Sequence, residues 1–278
     1  MLEKSLRAAP DFSGLEISDL FSVRNKVVLI TGASGGFGAA LAHGFATSGA
    51  VVALIDQHAD GLKSIADSLS DKFPYASCFN RALDISVESE VVQAVKDIDG
   101  QFGGIDVLVH VAGAARLAPI ADMSTADFDF TLGSHMRGTF LITREVGRLM
   151  RREKKGSIVL MSSIASQCAL GRGTGAYAAA KAGVNALVRE LAVEWALDGI
   201  RVNAVAPCQF RIPGLASILA DPKTNPSGDL EARMTAAIPA GRLGEPAEIV
   251  GPCIFLASDA ASMVTGHVLY ADGGYTCR

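Results

Sequence analysis

The sequence predicts an α/β fold, a single-domain, doubly wound and mostly parallel sheet with helices on both faces. Two patterns lead to this prediction. Short runs rich in β-branched residues suit strands buried on both faces, and longer stretches with helical spacing separate them. The first run also leads directly into a cluster of glycines that opens a helix. Repeated strand–helix–strand units place active-site groups at the carboxyl ends of the strands.

Six runs are expected to form strands. They are residues 26–30, 51–55, 105–112, 156–161, 201–206 and 267–271. A helix is predicted over 174–199, where a helical pattern runs to a glycine stop. Residues 208–241 are long for a connection and are predicted to form a lid over a ligand. The apolar residues expected to close that lid are Leu215, Ile218, Leu219 and Met234.

Length and composition indicate an ordinary globular protein. A chain of 278 residues is long enough for a sizeable core, expected over 25–278 behind an N-terminal arm at 1–24. Hydrophobic residues make up 49%, and the formal net charge of -4 leaves no basic excess to hold nucleic acid. The expected partners are therefore small molecules.

Cysteine usage and the first residues bear on location. The five cysteines are scattered and lack metal-type pairing, which argues against a disulfide framework and against a metal site. The N-terminal residues contain no apolar run long enough for a signal peptide or a membrane span. A cytoplasmic location without a membrane partner is the expectation.

The glycine cluster at 31–38, TGASGGFG, has the composition of a phosphate-binding turn. Gly32, Gly36 and Gly38 allow tight turning and close backbone approach, so a dinucleotide pyrophosphate can sit over the N-terminus of the next helix. Their spacing is not the GxGxxG form, and a plain strand-to-helix turn is the alternative. The second strand ends in Asp56, where a carboxylate can accept hydrogen bonds from the adenosine ribose. A turn residue is the alternative for Asp56.

The same residues favour one cofactor over another. The carboxylate of Asp56 would repel a 2′-phosphate, and the glycine loop carries no Arg or Lys to attract one. NAD is therefore expected as the cofactor, in preference to NADP.

Tyr177 and Lys181 form a possible reactive pair. They are four residues apart on the predicted helix, so they share one face and the ammonium can act on the phenol. Taken alone, this spacing also occurs by chance on many helices.

The ordered set of motifs resembles the short-chain dehydrogenases/reductases, from about Lys26 to Gly274. The motifs are TGASGGFG, LDIS, VLMSS, YAAAK, RVNAVAP and GRLGEPAEIV, followed by FLASD and TGHVLYADGG. The resemblance implies a Rossmann-like sheet of about seven strands, a nicotinamide cofactor and usually a homodimer or homotetramer.

The resemblance also implies roles for individual residues. Tyr177 would be the general acid/base, Lys181 would hold the nicotinamide ribose and lower the tyrosine pKa, and Ser163 would bind the substrate oxygen. Asp84 would contact the adenine. The full implied cofactor site is Gly32, Ser34, Gly36, Phe37, Gly38, Asp56, Asp84, Ile85, Ala112, Gly113, Tyr177, Lys181, Pro207 and Phe210. The neighbouring Ser162 is the alternative to Ser163.

Several positions depart from the family pattern. His110 and Val111 stand where the family usually has two asparagines, and His135 replaces the helix asparagine that supports a water beside the lysine. Because histidine titrates in the physiological range, His135 is a candidate catalytic relay with a stronger pH dependence. A histidine that merely fills the helix interface is the alternative.

The segment after the predicted strand 201–206 also departs from the family pattern. Cys208 replaces the usual glycine after Pro207, and Ile212 replaces a threonine. The nicotinamide carboxamide is therefore expected to be held mainly by main-chain groups near Phe210. Cys208 is not expected to act as a nucleophile, since the reaction needs no covalent intermediate.

The predicted function is an NAD(H)-dependent oxidoreductase that transfers hydride between a secondary alcohol and its ketone, with a sugar, sugar acid or polyol as substrate. A 3-oxoacyl or hydroxysteroid carbonyl reductase is an alternative, as is a noncatalytic dinucleotide-binding scaffold. Arg116, Arg172 and Arg211 are predicted near the site, where each could meet a substrate anion or simply be solvated.

Overall fold

The computed structural model describes residues 14, 16–73 and 78–278, and its seven strands form one parallel sheet in the order β3-β2-β1-β4-β5-β6-β7. The strands are β1 Val27–Thr31, β2 Val51–Asp56, β3 Cys78–Ala82, β4 Val107–His110, β5 Gly156–Met161, β6 Ile200–Pro207 and β7 Val268–Ala271. The predicted doubly wound parallel fold is confirmed.

Helices connect the strands and cover both faces of the sheet. The α-helices are α1 Ile17–Leu20, α2 Gly36–Thr47, α3 Ala59–Lys72, α4 Glu88–Phe102, α5 Thr125–Leu132, α6 Gly138–Glu153, α7 Gly175–Trp195, α8 Pro213–Ala220, α9 Leu230–Ala237 and α10 Val250–Ala257. A π-helical turn, Gly133–Arg137, joins α5 to α6. No helix in the described part of the chain is both long and apolar enough to cross a membrane.

The core consists of an apolar cluster on each face of the sheet. Successive strand residues point to opposite faces, so Leu29 and Ile30 of β1 enter different clusters. One cluster packs β1, β2 and β4 against α2, α3 and α10, and the other packs the sheet against α4, α6 and α7. This double burial explains why the strands read as continuous apolar runs.

The six predicted strands are all present, with ends that differ by at most two residues from the prediction. The sequence does not predict β3. Its sequence, CFNRA, has no β-branched run, and all five residues are half-buried or exposed because β3 pairs only with β2 at the sheet edge. The predicted strand 105–112 is shorter than expected, since β4 ends at His110. The residues after His110 enter the site instead.

The predicted N-terminal arm is only partly within the described residues; 1–13 and 15 lie outside them. The part that is described packs against the domain. Val23 is fully buried in the first core cluster, and the ring of Phe21 lies 6.3 Å from that of Phe255. The end of the arm thus contributes to the core.

The predicted lid segment, 208–241, contains α8 and α9. Its apolar side chains pack against one another in a third small cluster. That the segment closes over a ligand stays a prediction. The cluster comprises Leu215, Leu230, Met234, Ile238 and Leu243, with Ile218 and Leu219 against it. Helices of eight residues are marginally stable alone, so this mutual burial of apolar side chains stabilises both.

Candidate active site

A cleft of about 540 Å³ opens at the carboxyl ends of β1, β2, β4, β5 and β6. This is the position expected for a ligand on a doubly wound sheet. Of the predicted site residues, the cleft is lined by Gly32, Ser34, Gly36, Phe37, Asp56, Asp84, Ile85, Ala112, Gly113, His135, Ser163, Tyr177, Lys181 and Pro207. Gly38 and Phe210 are not part of the lining.

The glycine loop is shaped by contacts that exclude side chains. A Cβ on Gly38 would overlap the carbonyl oxygen of Gly32 and lie 2.7 Å from the Cα of Ala33. Gly38 therefore shapes the loop from behind the cleft. Gly32 has φ +69°, and a Cβ there would lie 2.8 Å from the backbone nitrogen of Ala112. The loop ends at Gly36, the first residue of α2, so the free N–H groups of that helix border the cleft.

Asp56 is fixed beside this loop at the end of β2. One carboxylate oxygen accepts a hydrogen bond from the backbone N–H of Ser34 at 2.9 Å, and the other accepts one from the backbone N–H of His58 at 2.9 Å. Asp84, on the same side of the cleft, accepts hydrogen bonds from both the backbone and the hydroxyl of Ser86 at 2.8 Å. The two carboxylates are thus held by the chain itself.

Tyr177 and Lys181 lie one turn apart near the start of α7 and both face the cleft. The Nζ of Lys181 donates a hydrogen bond to the carbonyl oxygen of Met161 at 2.7 Å and lies 5.7 Å from the centroid of the Tyr177 ring. Burial lowers the pKa of Lys181 to about 7. The helical spacing therefore does bring the two side chains together.

Burial raises the pKa of Tyr177, and a hydrogen bond with Ser163 opposes that change. The lowering of this pKa by Lys181, which the family resemblance implies, stays a prediction. The neighbouring Ser162 donates its hydroxyl to Asn185 Oδ1 at 2.6 Å, which turns it to a different partner. The second serine is accordingly the one that meets Tyr177.

His135 sits in the π-helical turn, 4% exposed, with its ring 5.1 Å from the Tyr177 ring in an edge-on arrangement. The imidazole covers Gly113, where a Cβ would overlap its Nδ1 atom. Neither ring nitrogen has a hydrogen-bond partner among the described residues. Burial, with smaller effects of Lys181 and His110, holds the pKa of His135 well below 6.5. This direction does not support the expectation that His135 titrates in the physiological range, and its part in a catalytic relay stays a prediction.

The sequence marks His110 only as a position where the family usually has asparagine. In the structure it is buried, and both of its ring nitrogens have hydrogen-bond partners. Its Nδ1 lies 2.7 Å from Thr31 Oγ1 and its Nε2 lies 2.9 Å from Thr139 Oγ1. Burial, followed by the charge of Lys181, lowers the pKa of His110 to about 3. Its partnership with Thr31 depends on the register of β1 and β4, in which the two residues are paired.

Phe210 itself lies outside the cleft lining, and the expectation that main-chain groups near it hold the nicotinamide carboxamide stays a prediction. Its ring is buried edge-on against Phe37, with centroids 5.1 Å apart, and its backbone pairs with Gly244 away from the cleft lining. Cys208 and Ile212 line the cleft in its place. Burial raises the pKa of Cys208 to about 11, so its thiol stays protonated near neutral pH.

None of the three candidate arginines lines the cleft. Arg116 pairs with Asp127 at 2.7 Å and Arg211 pairs with Glu231 at 2.9 Å. Arg172 is half-buried, and its guanidinium makes no hydrogen bond or ion pair within the described ranges. Burial lowers the pKa of Arg172. Two of the three arginines are thus neutralised by the chain itself.

The cleft fits a nicotinamide dinucleotide. The glycine loop leaves a backbone cradle that side chains would fill, and the start of α2 offers N–H groups suited to a pyrophosphate. A fixed carboxylate, Asp56, stands where the adenosine ribose would lie. Ser163, Tyr177 and Lys181 supply hydroxyl, phenol and amine at the other end. Among the described residues, no group of three His, Cys, Asp or Glu side chains is arranged to hold a metal ion.

Known proteins are similar to this chain over most of its length. A family model described as enoyl-(acyl carrier protein) reductase matches residues 32–276. The chain is 39% identical over 258 residues to a D-threitol dehydrogenase of Mycolicibacterium smegmatis, covering 93% of this chain and 95% of that protein. It is 36% identical over 259 residues to an NAD-dependent glycerol dehydrogenase of Listeria innocua, covering 93% and 96%.

A solved structure is similar over a comparable length. The gluconate 5-dehydrogenase from Burkholderia cenocepacia, in complex with NADP and tartrate, superposes with a TM-score of 0.85 at 30% identity, covering 95% of this chain and all of that chain. The residues that the family model matches include Gly32 of the glycine loop, Ser163 and the tyrosine–lysine pair. The chain therefore belongs to the short-chain dehydrogenase/reductase family.

Proposed function

We propose that this oxidoreductase is an NAD(H)-dependent dehydrogenase of a sugar, sugar acid or polyol, acting at a secondary alcohol. The observation that supports it most is the convergence of Ser163, Tyr177 and Lys181 at one end of the cleft, with Asp56 at the other. A noncatalytic scaffold would have no physical need for hydroxyl, phenol and amine together. We favour the enzyme for that reason.

Each residue has a distinct part in the proposed reaction. The bound nicotinamide supplies the chemistry of hydride transfer. The hydroxyl of Ser163 fixes the substrate oxygen, and Tyr177 holds the proton that this oxygen loses on oxidation or gains on reduction. Lys181, anchored to the Met161 carbonyl, binds the ribose beside the phenol. His135 packs against Tyr177 as a neutral ring.

The substrate class is proposed from the relatives. Their names specify threitol, glycerol and gluconate, all of which carry several hydroxyl groups. We also propose a cytoplasmic homodimer or homotetramer with the domain boundaries expected from the sequence.

Asp56 is expected to set the preference for NAD. In Asp56→Asn the negative charge is removed, and the amide oxygen keeps one of the two backbone hydrogen bonds. We therefore expect the ratio of kcat/KM with NADP to that with NAD to rise about tenfold or more. Asp84→Asn is the matched control, because its side chain is proposed to lie at the adenine. It should weaken both cofactors alike. An unchanged cofactor ratio in Asp56→Asn, measured by initial rates, would refute this role.

The pKa directions give a pH dependence for the two reaction directions. Tyr177 has a pKa raised above its usual 10, so near neutral pH the phenol is protonated and ready to donate. We expect alcohol oxidation, which needs the phenol to lose its proton, to become faster as pH rises from about 7 to about 10, whereas ketone reduction should not.

His135 should add no step of its own to that profile. Its pKa lies well below 6.5, so the ring is neutral throughout the same range. We expect His135→Asn to change the height of the oxidation profile and to leave its shape unchanged. A step near pH 6.5 that is present in the wild type and absent from His135→Asn would show that the ring titrates after all.

A further inference from the structure

A chain of buried hydrogen bonds runs behind the cleft from the end of β1 to the π-helical turn. Its centre is His110, 3% exposed, whose ring lies between the hydroxyls of Thr31 at 2.7 Å and Thr139 at 2.9 Å. The hydroxyl of Thr139 in turn donates to the carbonyl oxygen of His135. Both threonines are buried as well, so water does not compete for these bonds.

The chemistry of the groups fixes the direction of every bond. A carbonyl oxygen only accepts, so the Thr139 hydroxyl is the donor to His135. The oxygen of Thr139 must then accept from His110, whose Nε2 therefore carries the hydrogen. Nδ1 is left as an acceptor for the hydroxyl of Thr31. Of the ring's protonation states, the neutral Nε2–H form fits both neighbours.

The two ends of this chain reach different parts of the cleft. The oxygen of Thr31 also accepts from the backbone N–H groups of Val111 and Ala112 at 3.2 and 3.3 Å. These residues lead from β4 into the cleft, and Ala112 packs against the glycine loop at Gly32. The other end is the carbonyl of His135, whose ring lies beside Tyr177.

We infer that His110 is a positioning residue, which acts through Thr139 to hold the π-helical turn where the His135 ring packs against Tyr177. It links the dinucleotide side of the cleft to the proton-transfer side. π-helical turns inside α-helices are rare and are frequent at functional sites. The inference rests on the proposed function, because its expected effect is on proton transfer at Tyr177.

Three substitutions on α6 separate positioning from simple stability. Thr139→Val removes the hydroxyl and keeps the shape, whereas Thr139→Ser keeps the hydroxyl. Thr143→Val is the matched control: its hydroxyl is equally buried and bonds to the Thr139 carbonyl one turn along, without touching His110. The readouts are kcat and KM for a polyol substrate, the Kd of NADH and the Tm.

We expect Thr139→Val to lower kcat about tenfold, as a small displacement of a catalytic group does, with KM and the Kd of NADH changed less than about twofold. Thr139→Ser should recover most of the lost kcat. Thr143→Val should lower the Tm as much as Thr139→Val does and keep its kcat. An equal loss of kcat in the two valine variants, or no recovery with serine, overturns the inference.

A wild-type enzyme without turnover would refute the proposed function and leave the inference to be decided by NMR. In protein labelled with ¹⁵N-histidine, we expect His110 in the Nε2–H form from about pH 5 to about pH 8. The His135 signals should shift in Thr139→Val and stay in place in Thr143→Val. A protonated or Nδ1–H His110, or unshifted His135 signals in Thr139→Val, contradicts the positioning role.

Discussion

Replacing Tyr177 by Phe should abolish turnover and leave dinucleotide binding intact. The substitution removes one hydroxyl, the group proposed to take and return the substrate proton, and general acid–base catalysis of this kind contributes about 10²- to 10⁴-fold. The ring stays in place against His135, which it meets edge-on at 5.1 Å. We therefore expect kcat to fall by that factor and the Kd of NADH to change little.

Tyr270→Phe is the matched control for this substitution. Tyr270 lies on β7 and is outside the lining of the cleft, so the loss of its hydroxyl should leave kcat unchanged. Stopped-flow single-turnover measurements would separate the chemical step from product release. If Tyr177→Phe turns over like the wild type, the assignment of the general acid/base is wrong.

Replacing Gly38 by Ala should disrupt the glycine loop and so prevent dinucleotide binding, although Gly38 lies outside the cleft lining. The new Cβ would overlap the carbonyl oxygen of Gly32 and lie 2.7 Å from Ala33 Cα, and both obstacles are backbone atoms. A flexible side chain could move aside, but the start of α2 cannot move without opening the glycine loop. We expect a loss of about 3 kcal/mol or more in binding or folding free energy.

Gly35→Ala, in the same loop, is the control for Gly38→Ala. A Cβ at Gly35 would meet only the Gly32 carbonyl oxygen, at 3.3 Å, so a small shift accommodates it. Thermal unfolding and NADH titration of both variants would measure the difference. Wild-type NADH affinity and Tm in Gly38→Ala would show that the loop tolerates a side chain there.

The parts of the fold that the sequence predicts are those that depend on local patterns. β1, the glycine turn and Asp56 are close in the chain. Strands that are buried on both faces are recognisable in the sequence as continuous apolar runs. The pairing of Tyr177 with Lys181 follows from helical spacing alone. These features came out as expected because short-range geometry determines them.

The parts that escaped prediction depend on which distant segments meet. β3 has no apolar run because it pairs with one neighbour at the sheet edge. The apolar residues of 208–241 pack on one another, which a list of hydrophobic residues does not reveal.

The buried histidines also depend on distant segments. The partners of His110, Thr31 and Thr139, are 79 and 29 residues away in the chain. The register of β1 and β4 brings Thr31 to His110, and the packing of α6 against β4 brings Thr139 to it. The pKa of His135 depends on how deeply its ring is buried, and the identity of the residue does not reveal that.

The most direct test of the proposed function is the initial rate of NADH formation from NAD across a panel of polyols, sugars, sugar acids and hydroxysteroids, with NADP in parallel. We expect turnover with NAD on a polyhydroxylated secondary alcohol, faster than with NADP. No turnover in either direction with either cofactor, despite measurable NADH binding, would contradict the proposal and indicate a dinucleotide-binding protein without catalysis.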